Sequence, residues 1–164
     1  MNLFSKLLLS FAILLLIPGC ISNIFKEPKP TFSNEVLLPE FNSDFNQLND
    51  NVYPAWKNKS TGNVISMVSD CNEGNFSLKS IHSLMSDSLD LVKVLEEKPT
   101  TLNGRKSYYK VVRGEIEGKA IEIQSYSLQH NKCTYVTSLA GNPEKIKLNQ
   151  EHFKNFLQKI DFKK

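Results

Sequence analysis

Lys106-Ser107-Tyr108-Tyr109-Lys110-Val111-Val112-Arg113-Gly114-Glu115, then Ala120-Ile121-Glu122-Ile123-Gln124-Ser125-Tyr126-Ser127-Leu128, then Cys133-Thr134-Tyr135-Val136-Thr137-Ser138-Leu139 follow one another with only Glu117-Gly118 and His130-Asn131 as turns between them. Tyr, Val, Ile and Thr fit a pleated, half-buried surface, and two-residue turns join only antiparallel neighbours. Ile121 and Ile123 share one face of the second run, and Cys133, Tyr135 and Leu139 share one face of the third. The stretch therefore predicts a three-stranded antiparallel meander. Asn103-Gly104 is a turn signal just ahead of it, and Gly141-Asn142-Pro143 breaks the chain just after.

A sheet with an apolar face needs a cover. Upstream, Leu78, Ile81, Met85, Val92 and Leu95 recur at helical spacing, broadened by Leu84 and Leu91. Ser77 is the N-cap candidate and Pro99 the stop, so a long helix is expected from Ser77 to about Glu97. Downstream, Phe153, Phe156, Leu157 and Ile160 predict a terminal helix from about Gln150. Before the long helix, Val52 to Trp56 and Val64 to Ser69 read as a hairpin about a turn at Lys59 to Asn63. The fold class is α+β, an antiparallel sheet of hairpin plus meander covered by a long helix and a C-terminal helix. The domain is expected over residues 51–164.

Residues 20–50 hold Pro28, Pro30 and many Asn, Ser and Asp, and read mainly as a tether. Val36-Leu37-Leu38 has the composition of a short edge strand. Phe32, Phe41 and Phe45 are expected to pack on the domain's own surface in preference to serving as a partner motif. A flexible 30-residue chain spans roughly 30 Å.

At the start, Lys6 precedes an apolar run from Leu7 to Pro18, and Gly19 precedes Cys20. A spanning helix needs about 20 apolar residues, so the run fits a signal peptide. Ile17-Pro18-Gly19-Cys20 resembles the lipobox of bacterial lipoproteins. That resemblance implies lipid transfer to the Cys20 thiol and cleavage between Gly19 and Cys20, with residues 1–19 removed. The expected location is the cell envelope, lipid-anchored on the periplasmic face of the outer membrane, because Ile21 stands where an inner-membrane retention Asp is absent.

Cleavage would leave 19 basic and 17 acidic residues, interspersed. No basic block suggests a nucleic-acid partner. With Cys20 acylated, Cys71 and Cys133 form an even pair in an oxidising compartment, which favours a disulfide over two buried free thiols. No CxxC or HxxxH spacing supports a metal, and no cofactor is implied.

The order of elements, with Asn103-Gly104, Gly118, Cys133 to Thr137 and the segment Phe153 to Phe162, resembles the PsbP-like fold, DcrB-like lipoproteins included. That resemblance implies a small non-enzymatic accessory protein. The sequence has no GxSxG, HExxH, P-loop or GxGxxG, so no catalytic residue is assigned. His82, His130 and His152 stand without ligand-spaced partners. Cys71 beside Asp70 is disfavoured as a reactive thiol, because a carboxylate raises thiol pKa. Arg105 and Arg113 fall near one strand and are the anion or ligand candidates. Two functions compete: an accessory module for an envelope protein partner, and a small-ligand binder with a cleft between sheet and long helix. An apolar exposed sheet region favours the first and a pocket with converging polar groups the second.

Overall fold

The computed structural model describes residues 32–41, 44–49, 51–71 and 76–163. Gly19 and Cys20, with the rest of residues 1–31, lie outside the described residues, so the expected signal peptide and lipid anchor fall there.

The strands are β1 (Val36–Leu37), β2 (Phe45–Gln47), β3 (Ala55–Asn58), β4 (Val64–Asp70), β5 (Asp90–Leu102), β6 (Arg105–Ile116), β7 (Lys119–His130), β8 (Cys133–Gly141) and β9 (Asp161–Phe162). A 3-10 turn at Ser80–His82 runs into the short helix α1 (Ser83–Ser86), and a second at Ile146–Asn149 leads into α2 (Gln150–Lys159). Seven strands form one antiparallel sheet in the order β2-β3-β4-β8-β7-β6-β5, and β1 pairs with β9 apart from it.

The meander is present, one strand longer than the sequence reading. Asn103 and Gly104 take φ of 48° and 73°, and Glu117 and Gly118 take 52° and 72°. Both pairs thus have the left-handed backbone of a type I′ hairpin turn, in which glycine is unstrained at the second position. The β3–β4 hairpin is held at its turn by Asn58, whose Oδ1 accepts the Ser60 and Thr61 N–H groups at 3.1 and 3.0 Å. On one face, Trp56, Ile65, Met67, Leu128, Tyr135 and Leu139 meet Phe153, Phe156 and Leu157 of α2, with Ile160 just beyond it. On the other, Ile81 packs on Val68 and Val136, and Leu89 packs on Val112 and Ile123.

The long helix is not formed. Helical turns end at Ser86, and Asp90–Leu102 is a strand on the outer edge of the sheet. The reason lies in the Asn103-Gly104 turn. A hairpin turn fixes the register on both sides, so the twelve residues of β6 recruit an arm of similar length from the residues before the turn. Val92, Val94, Thr100 and Thr101 suit a strand, and Pro99 is tolerated on an edge where no ladder donor is missed. Ser77 still starts the helical turns: its Oγ accepts the Ser80 N–H at 3.0 Å.

The domain also begins earlier than residue 51. Val36 is buried and pairs with Phe162, and Phe45 is buried in β2. The Ser33 N–H donates to Ser69 Oγ at 2.9 Å, and the Tyr135 hydroxyl donates to Ser33 Oγ at 2.9 Å. Residues 32–41 and 44–49 therefore belong to the fold, not to the tether. Phe41 packs its ring on Phe45, Trp56 and Phe156 at 4.8–4.9 Å, as expected for an aromatic residue on the domain's own surface.

Candidate interaction surface

Strand β5 sits at the end of the sheet, and among the described residues β6 is its only ladder partner, so within that set its outer backbone groups have none. Such an edge is a template for another strand unless it is short, covered or heavily charged. Here it runs thirteen residues. Leu91, Val92, Val94 and Leu95 are exposed by 80, 47, 46 and 42 %. Ile116, which follows the Asp90–Glu115 pairing on β6, is exposed too, as is Leu84 on α1. Single exposed apolar side chains are ordinary, whereas a run of them along an open edge marks a contact surface.

The backbone along this edge is irregular. Register shifts between Asp90 and Lys93 and between Val94 and Glu96 put extra residues into β5, leaving Leu95 with no residue opposite it on β6. Leu91 has φ of 52°. A bulky residue in the left-handed region is strained by roughly 1 kcal/mol or more, and it is held there while its side chain faces water.

Charges of both signs frame the apolar run. Lys79 Nζ donates to Glu97 Oε1 at 2.7 Å, and Lys98 Nζ to Glu96 Oε1 at 2.6 Å. Hydrogen bonding to Lys79 lowers the Glu97 pKa and raises that of Lys79, and Glu96 likewise raises Lys98. The two lysines also lie over Tyr108 and Tyr109, at 5.7 and 5.6 Å from the ring centres. Tyr109 packs on Tyr126 at 4.6 Å, and burial followed by the neighbouring Tyr126 pushes its hydroxyl pKa up to about 12. It is a hydrogen-bonding phenol, not a base, at any physiological pH.

The arginines are not brought together. Arg105 opens β6 and Arg113 lies eight residues on, about 27 Å at strand rise. Arg113 donates to Glu122 Oε2 at 2.7 Å, and Arg105 lies 3.1 Å from His130 Nδ1 and 5.1 Å above the Phe162 ring. No paired-anion site is formed. Cys71 and Cys133 are joined in a disulfide. They continue the β4–β8 register one step past the Asp70–Thr134 pair, so the bridge links the ends of two neighbouring strands.

His82 is 1 % exposed, with Nδ1 2.7 Å from Ser125 Oγ. Burial, then the charge of Lys110, pushes its pKa down to about 4. His130 stacks on Phe162, and His152 faces Phe45. Among the described residues no group of three or more His, Cys, Asp or Glu is arranged to hold a metal ion. A pocket of about 460 Å³ lies beside Leu38, Phe41, Phe45, Pro54 and Trp56, with Glu40 and Gln47 as its polar lining. The expected cleft under a long helix has no counterpart, because that helix is a strand. No described helix is long and apolar enough to cross a membrane.

The sequence reading missed the β5 edge because it had absorbed those residues into a helix. The signal was the turn: an Asn-Gly with Thr100-Thr101 before it and the Tyr- and Val-rich run of Tyr108 to Val112 after it requires two arms.

No protein-family model matches the chain, and no curated protein matches it. Solved structures do. The solution structure of cyanobacterial PsbP (CyanoP) from Synechocystis aligns with a TM-score of 0.56 at 5 % identity, over 85 % of this chain and 99 % of that one. LpqN of Mycobacterium tuberculosis, described as involved in cell envelope biogenesis, aligns at 0.56 and 10 % identity, over 83 % of this chain and 90 % of that one. PA94 of Pseudomonas aeruginosa, a putative regulator of unknown function, aligns at 0.53 and 12 % identity, over 84 % and 90 %. At such identities the likeness is one of fold alone. The chain thus has an α+β fold similar to that of CyanoP and to that of LpqN, which is described as involved in cell envelope biogenesis.

Proposed function

We propose that this chain is a non-enzymatic accessory protein of a bacterial cell envelope, held to the membrane by lipid on Cys20, that works by docking onto protein through the β5 edge. The observation that carries the reading is the run Leu91–Leu95, whose four apolar side chains are exposed on either side of Lys93 and whose first residue is strained. A strand added there would pair its backbone with β5 and cover those side chains, a mode in which main-chain bonds supply affinity and side chains specificity. The envelope setting draws on the resemblance of residues 17–20 to a lipobox and on LpqN as a fold relative. The periplasmic face of the outer membrane is the proposed location.

In-cell cross-linking of the tagged, full-length chain followed by mass spectrometry tests the role. The expected result is one envelope protein recovered in stoichiometric amount and lost on Leu91→Lys with Leu95→Lys. A well-folded chain that recovers none sinks the reading. Cys20→Ala is expected to abolish acylation and processing; unchanged mass and membrane retention would remove the anchor from the proposal.

A small-ligand role is the second reading, favoured by the pocket beside Phe41 and Trp56. Native mass spectrometry of protein taken gently from cells tests it, and an unliganded mass throughout counts against it.

A further inference from the structure

We infer that the strand completing the β5 edge comes from a second copy of this chain, paired antiparallel across a twofold axis at Leu95. The inference rests on the reading of β5 as a docking edge and names its occupant; the paired chains, not the single edge, are then what an envelope partner meets.

Three observations narrow the choice. First, among the described residues the outer backbone donors and acceptors of the edge have no ladder partner, and apolar side chains lie along it. In lipid those backbone groups would stay unsatisfied, whereas a strand pairs them. Second, Pro99 lacks the N–H that an added strand would need, so the usable edge runs from Asp90 to Lys98 and stops at the same place in each copy. Third, the charges along it are self-complementary. Reading from Asp90, the ionisable residues are Asp90, Lys93, Glu96, Glu97 and Lys98. Reversing one copy about Leu95 puts its Lys93 opposite Glu97 of the other, twice by symmetry, with the two Leu95 residues meeting at the centre. Such an isologous contact closes on itself and makes a dimer, not a fibre.

The groups needed are available. Among the described residues Lys93 makes no ion pair. The Glu96–Lys98 and Glu97–Lys79 pairs are exposed, and exposed pairs are weak enough to rearrange. All the side chains named are at the surface, so changing their charge leaves the core of the domain untouched.

The test uses full-length chains carrying two different tags, co-expressed in cells, with a photo-crosslinking residue at Leu95 in both. After irradiation and denaturation, one tag is captured and the other is sought. Wild-type chains are expected to co-capture. Lys93→Glu chains set like charges against each other at both ends of the axis, and so do chains carrying Glu96→Lys with Glu97→Lys. Each variant alone is expected to lose co-capture about tenfold, in line with the cost of like-charge juxtaposition. A Lys93→Glu chain paired with a Glu96→Lys/Glu97→Lys chain restores opposite charges at both contacts and is expected to recover wild-type capture.

Absence of wild-type co-capture, or single variants that co-capture as well as wild type, would overturn the inference. So would cross-links from Leu95 only to a different protein or to lipid. The first of those last two would overturn the twofold pairing while leaving the accessory role standing. A co-captured pair with no other envelope protein recovered would leave the pairing standing and remove the accessory role.

Discussion

His82 makes the stability of this domain depend on acidity over a defined range. Its ring is 1 % exposed and bonded through Nδ1 to Ser125, and burial holds its pKa near 4 against an ordinary value of 6.5. Above pH 6.5 the ring is neutral in both the folded and unfolded chain, and the shift contributes nothing. Below 6.5 the unfolded chain takes up a proton that the folded chain refuses, so stability falls as pH falls. Linkage gives a loss of about 2 kcal/mol at pH 5 and about 3 kcal/mol at pH 4, levelling off below. His82→Gln keeps an amide within reach of Ser125 and cannot titrate. The assay is urea unfolding of both proteins from pH 8 to pH 4. Wild type minus variant removes the carboxylates that both share. That difference should be flat above pH 7 and move against wild type by about 3 kcal/mol by pH 4. A difference constant to within about 0.5 kcal/mol would refute the buried-neutral account of His82.

Gly141 faces the amide of Asn63, whose Nδ2 donates to Lys145 O at 3.0 Å and Asn149 Oδ1 at 2.8 Å. Gly141→Ala would drive a methyl into that amide, and a loss of about 2–3 kcal/mol is expected in thermal or urea unfolding. The Cys71–Cys133 bridge spans 62 residues, and reduction should cost about 4 kcal/mol by the chain-entropy estimate. Alkylation without reductant should modify neither thiol, and modification of both would dispose of the bridge. Leu91→Gly relieves a left-handed leucine, so unfolding should show a gain of about 1 kcal/mol while β5 cross-linking falls. A stabilised variant with undiminished cross-linking would separate Leu91 from the docking edge.

The parts of the fold legible in the sequence were those fixed by local chemistry. The turns at Glu117-Gly118 and His130-Asn131 set the three-stranded meander, and the Phe153–Phe156–Leu157 spacing set the terminal helix. The helix was carried past Ser86 because Leu and Val at intervals of three and four satisfy a helical period, yet the turns over Ser80–Ser86 stop there and the β6 arm takes Asp90–Leu102. Tertiary pairing decided the outcome. Val36 was ambiguous for a related reason: a two-residue strand has no periodicity, and its partner, Phe162, lies at the other end of the chain. The docking edge followed from the same error, since exposure of Leu91–Leu95 becomes visible only once those residues are a strand.

The β1–β9 pair joins Val36 to Phe162, one near the beginning of the domain and the other near its end. A chain made from the amino end releases Val36 long before its mate exists. At about 5–20 residues per second, the wait over roughly 125 residues is about 6–25 s. During that interval the apolar face meant for α2 also lacks its cover. A holding factor that shields the growing sheet would be needed most by this segment, and clipping the last few residues would release Val36 and Leu37 from their partners at once.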